Sequence, residues 1–339
     1  MVLFRLLIGW WPLVVKSKIA NRHSEDLEAY NMYLRGTYNY QQLTVGGLMK
    51  ASEYFKLALQ KDPGYALALV GLGYVYWLSS MWGNVPPEKA YPEAENYVKK
   101  ALEIDGTLAE AYSLLATIYT FYYWNWSEAE KNFSHALGIN PNSSMLHTNY
   151  SVMLIFARRY EEAIIEAGKA RELDPLSAYI NTRSGMAYYY AGHYDKATDE
   201  YRMTLAMNPD YFFTHLNLAI LYRTKGMFTD AAIEYDKAAG LSKGTPAAVT
   251  GQILVYYRIG EKEKADELFN ALRKRSGSEY VPSTFFYMIY KFLGEENLAL
   301  EWLKKACSEH DTYLLWSKDD PEWFPEGSGY RALIKEAGL

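Results

Sequence analysis

The sequence predicts an all-α chain: a solenoid of about eight helical hairpins followed by a C-terminal capping helix. Two observations predict it. An alanine recurs at a near-constant interval of 34 residues, and in half of the units a proline stands twelve residues after it. A period of that size marks stacked supersecondary units, none of which can bury its apolar face alone. With 339 residues, half of them apolar, the chain has material for one elongated array.

In chain order, residues 1–22 are a segment apart. "VLFRLLIGWWPLVV" (2–15) is apolar except for Arg5, Gly9 and Pro12, and Lys16 and Lys18 follow it. It is shorter than the ~20 residues of a spanning helix, and "VVKSKIANR" makes a poor small-residue cleavage site. The expectation is a helix laid against the first repeat or a remnant of an upstream region. Membrane association through residues 2–15 is the second reading.

Residues 23–311 carry the repeat. Its alanines are Ala51, Ala94, Ala129, Ala163, Ala197, Ala231, Ala265 and Ala299, spaced by 43, 35 and then five times 34. Four positions on stand Phe55, Val98, Phe133, Ala167, Tyr201, Tyr235, Phe269 and Leu303. Seven positions on stand Ala58, Ala101, Ala136, Ala170, Thr204, Ala238, Leu272 and Ala306. Offsets of four and seven share one helix face, and small residues there let a second helix approach closely. Tyr188, Tyr222, Tyr256 and Tyr290, nine before the alanine, are expected to reach across from the first helix of each hairpin. Gly226, Gly260 and Gly294 mark the turn between helices. Pro63, Pro141, Pro175 and Pro209 end the second helix, because the residue before a proline is pushed out of helical geometry. The second unit carries the longest insertion, around 82–92.

Residues 312–339 do not repeat the pattern. An array needs a terminal element with one polar face. "SGYRALIKEAG" is read as that helix, with Leu333 and Ile334 inward and Trp316, Trp323 and Phe324 packing the connection.

This pattern resembles the tetratricopeptide repeat, a 34-residue helix–turn–helix unit. The resemblance implies a right-handed superhelix with an open trough on its concave side. The family's tryptophan near the start of each first helix is replaced by Asn31, Leu69, Tyr112, His147, Asn181, His215, Val249 and Ser283. "LEAYNMYLRGTYNY", "PPEKAYPEAENYVKKALEID", "NWSEAEKNFSHAL" and "LGEENLALEWLKKACSEHD" are similar to the repeat regions of prokaryotic signalling proteins. In those proteins the array follows an adenylate-cyclase or winged-helix domain, often with a TolB-like segment. The chain begins near the first repeat, so that resemblance implies a regulatory or sensory module whose effector is on another chain.

First helices of such arrays line the concave face, where extended peptides are held. The stripe expected there includes Asn149, then Tyr179, Arg183, Met186 and Tyr190, then Phe213, Asn217 and Arg223. Asn149, Arg183 and Asn217 are 34 apart and form a ladder. An asparagine can donate to and accept from a peptide backbone, and an arginine can fork onto a carboxylate. The carboxylate clamp of chaperone-binding family members is matched only at Asn149 and Arg183; Ser113, Thr117 and Tyr179 take the other places.

Other function classes find little support. A net charge of −5 gives no nucleic-acid footprint. The basic run Arg273-Lys274-Arg275 suits a helix C-terminus. One cysteine, Cys307, allows no disulfide framework and is read as a packing residue. The six histidines are scattered, and no phosphate loop, HExxH or nucleophile elbow occurs. The expectation is a non-enzymatic, cofactor-free, metal-free scaffold that binds a protein or peptide partner. It would be cytoplasmic, or a membrane-associated assembly factor if residues 2–15 tether it.

Overall fold

A computed structural model describes residues 24–42, 44–82 and 85–339; the apolar run at 2–15 lies outside the described residues. All secondary structure among the described residues is helical. Sixteen helices pair as eight hairpins: α1 (Leu27–Gln41) with α2 (Val45–Lys61), α3 (Ala66–Met81) with α4 (Pro87–Ile104), α5 (Ala109–Phe121) with α6 (Trp126–Ile139), and α7 (Ser144–Phe156) with α8 (Tyr160–Leu173). The series continues with α9 (Ala178–Tyr190) and α10 (Tyr194–Met207), α11 (Phe212–Thr224) and α12 (Phe228–Ser242), α13 (Pro246–Ile259) and α14 (Lys262–Arg275), and α15 (Ser283–Phe292) and α16 (Glu296–Ser308). Two short helices follow, α17 (Tyr313–Ser317) and α18 (Gly329–Glu336).

Each first helix touches the first helices of its neighbours, so α1, α3 and the odd-numbered helices through α15 form one continuous inner layer. The repeat residues explain the spacing. All eight alanines of the period are fully buried, and the residues four and seven further on are buried with them. Where the residue four further on is Phe55, Tyr201 or Tyr235, glycines clear room for its ring. A Cβ placed on Gly36 or Gly71 would stand 2.6 Å or 2.7 Å from the Phe55 ring, so Phe55 is held between two helices that both lack a side chain there.

Turns within hairpins need one residue in the left-handed region, which glycine adopts at no steric cost. Gly192, Gly226, Gly260 and Gly294 fill it in the fifth to eighth hairpins. In the third and fourth the same place is held by Trp124 (φ 51°) and Arg158 (φ 59°). Both reach the C-terminal segment.

That segment departs from the expected trough. Helix α18 packs on α16, with Ile334 buried and Leu333 half-buried against the core. Residues 310–324, however, turn back across the concave layer instead of only bridging the last hairpin to α18. No helix among the described residues is long and apolar enough to cross a membrane.

Candidate functional site

The C-terminal ends of the inner helices form one rim of the concave face, and residues 310–324 bind along it. His310, itself left-handed at φ 50°, donates from Nδ1 to the Tyr122 carbonyl at 2.9 Å and lies against Trp124. Asp311 is buried, and its carboxylate accepts from Thr284 N and Oγ1 (2.8 Å each) and from Tyr313 N (3.0 Å). Burial pushes its pKa up to about 6 against those hydrogen bonds. The Tyr313 hydroxyl reaches the Met81 carbonyl at the end of α3, at 2.9 Å.

Trp316 packs on the inner helices while remaining partly exposed. Its ring packs edge-on against Phe156 at 4.4 Å and touches Phe121 and Tyr190, while its carbonyl accepts from the Tyr190 hydroxyl at 2.8 Å. An acidic run then meets a row of cations. Asp319 pairs with Arg158. Asp320 and Glu322 both pair with Arg223, and Glu322 also takes Arg258 at 3.0 Å. The Trp323 carbonyl accepts from Tyr287 and Lys291, and Phe324 is fully buried.

Beneath this segment, against the inner helices, lies a cavity of about 330 Å³. Seven of the eight residues expected in the groove border it: Tyr179, Arg183, Met186, Tyr190, Phe213, Asn217 and Arg223. Asn149 borders a separate 10 Å³ void on the other side of Arg183. The polar ladder does not face solvent. Asn149, Arg183 and Asn217 are all buried. Asn149 donates to Ser113 Oγ at 3.4 Å and Asn217 to the Phe213 carbonyl at 2.7 Å, both within the array. Three rings surround the Arg183 guanidinium, Phe213 at 4.8 Å, Tyr179 at 5.2 Å and Trp316 at 5.3 Å. Tyr190 and Arg223 hold the C-terminal segment itself.

The sequence reading missed Arg158, Arg258 and Lys291. The available signal was that cations recur near the ends of the inner helices while acids and tryptophans concentrate in "WSKDDPEWF". Among the described residues no three His, Cys, Asp or Glu side chains are grouped to hold a metal ion. Cys307 is partly buried, and burial raises its thiol pKa to about 11, so it stays protonated at neutral pH.

Residues 182–249 match the family model for the tetratricopeptide repeat. The fold and this match support a tetratricopeptide-repeat protein. Among solved structures, yeast Tom70 is similar with a TM-score of 0.57 and 19% identity, over 89% of this chain and 67% of that one. PilF of Pseudomonas aeruginosa gives 0.48 and 19%, over 69% of this chain and 98% of the other. YrrB, described as a TPR protein with an unusual peptide-binding site, gives 0.36 and 21%, over 58% and 97%. At such identities the likeness concerns the fold alone. No curated protein sequence matches the chain significantly.

Proposed function

We propose that the protein is a non-enzymatic interaction scaffold whose concave face receives an extended, acidic and aromatic segment of a partner protein. One observation carries this reading: the chain's own residues 310–324 lie along that face, paired acid to cation and ring to ring. The face is therefore complementary to that chemistry, and its helices are ordered before binding, which lowers the cost of capturing a flexible segment. The repeat match supports the scaffold assignment. In this reading residues 310–324 hold the partner's place until a competing segment displaces them.

The test uses a labelled peptide with the sequence of residues 312–324. A full-length Trp316→Ala/Asp320→Asn variant, whose own segment is weakened, should bind the peptide at least tenfold more tightly than wild type by fluorescence polarisation. Adding Arg223→Met should abolish the gain. Equal binding by wild type and variant would count against the concave face as the receiving surface.

A further inference from the structure

Arg183 is a buried cation without a counter-ion. Only 5% of it is exposed. Its Nε has no hydrogen-bond partner, and Nη1 reaches only the Met186 sulfur at 3.6 Å. Rings of Tyr179, Phe213 and Trp316 face the guanidinium, but ring faces offer no acceptor for its N–H groups. Other buried cations are treated differently. Arg223, in the same wall, has two carboxylates, and Lys318, outside it, has Asp319 at 3.2 Å. A desolvated charge left unpaired is among the costlier features a fold can carry.

The same cavity holds a second unsatisfied group, Thr250 Oγ1, which is buried without a partner. The rest of the wall is largely apolar, with Leu216, Ile220, Leu254 and Met288 among its residues. The volume of about 330 Å³ falls at the lower end of the range of small-molecule sites, roughly 300–1,000 Å³.

We propose that this cavity binds a small amphipathic carboxylate, its acid group forked onto Arg183 and its alkyl or aryl body lodged among the apolar side chains beneath the C-terminal segment. A carboxylate matches the planar fork of a guanidinium, and two parallel charge-assisted bonds would satisfy the donors left open. A dianion such as a phosphate ester fits less well. Of the two cations that border the cavity, Arg183 is the one without a carboxylate partner, and Asp319 and Asp320 stand in the same wall. The site is built by the chain with residues 310–324 in place and does not rest on the peptide-capture reading.

Isothermal titration of the full-length protein with sodium decanoate and 4-phenylbutyrate, each against its primary amide, tests the site. At least one acid should bind ten or more times more tightly than its amide. Arg183→Met should erase that preference without lowering the melting temperature, because it removes a charge that no carboxylate in the free protein pairs with. Ile220→Trp, which fills the cavity and leaves Arg183 in place, should abolish binding of both acids and serves as the deciding variant if Arg183→Met does not fold. The proposal is overturned if neither acid binds, if acid and amide bind alike, if Arg183→Met keeps the preference, or if Ile220→Trp binds as wild type does.

Discussion

His147, Asn181 and His215 stand 34 residues apart, and each donates a hydrogen bond to the carbonyl of the proline six residues earlier. The two histidines go further. His147 Nδ1 meets Glu166 and His215 Nδ1 meets Glu234, each at 2.5 Å. The His215 ring, facing oxygen acceptors on both nitrogens, is best satisfied as imidazolium, which has two donors. The Glu234 hydrogen bond accordingly raises the His215 pKa. Burial pushes Glu234 up, but hydrogen bonds from His215 and Lys237 outweigh it and leave its pKa lowered. The signs follow. Stabilisation from His215 is complete below its unfolded pKa of about 6.5 and is lost as pH rises through the higher folded value. That from Glu234 is complete above the unfolded carboxylate value and is lost only as pH falls through the depressed one. Urea midpoints at pH 6 and pH 8.5 should therefore fall for wild type. The fall should be smaller in His215→Asn, which keeps an Asn181-like bond to the proline carbonyl but cannot titrate. An equal fall in both would remove His215 as the source. The sequence made the equivalence of these positions legible. Glu166, Glu200 and Glu234 also recur at 34, three after the repeat alanine, but the spacing alone did not show that they meet the histidines of the first helix of the same hairpin.

Among the elements, the hairpins were readable and the C-terminal segment was not, for a physical reason. Hairpins are encoded by periodicity, since alanine, aromatic and proline spacings act within one unit. Residues 310–324 have no period, and their position depends on partners far away in sequence, such as Met81, which is 232 residues from Tyr313. Among the candidate residues, placement in the inner layer was legible from the stripe, whereas their burial depended on that unforeseen cover. Arg223 is the segment's main anchor, with a side chain only 10% exposed and two carboxylates on it. Removing it leaves both acids without their strongest partner. Because those acids are partly in water, the expected cost is about 1–3 kcal/mol, below that of a fully buried pair. Arg223→Met should accelerate tryptic cleavage after Lys318, which is buried in the intact protein. Mass spectrometry of the digest would read it, and an unchanged rate would reassign the anchor to Trp316.

For the molecule as a whole, the segment changes what kind of array this is. A stack of repeats couples only neighbours, and its parts can unfold separately. Here one strip of chain touches the ends of α3, α5, α9, α11, α13 and α15 and the turn at Arg158. Wild type should unfold in urea as one transition, traced alike by circular dichroism and tryptophan emission. A chain ending at Ser308 should lose that coincidence, unfold over a broader range and expose apolar surface. Coincident transitions in the shortened chain would show that neighbour contacts suffice. The strip has a mechanical corollary. An unbraced helical stack stretches like a spring when its two ends are drawn apart, each joint yielding a little. With one tie fastened from the second hairpin to the eighth, the coil has a fixed pitch, and pulling on it should meet stiff resistance until the tie tears loose, after which the array extends freely.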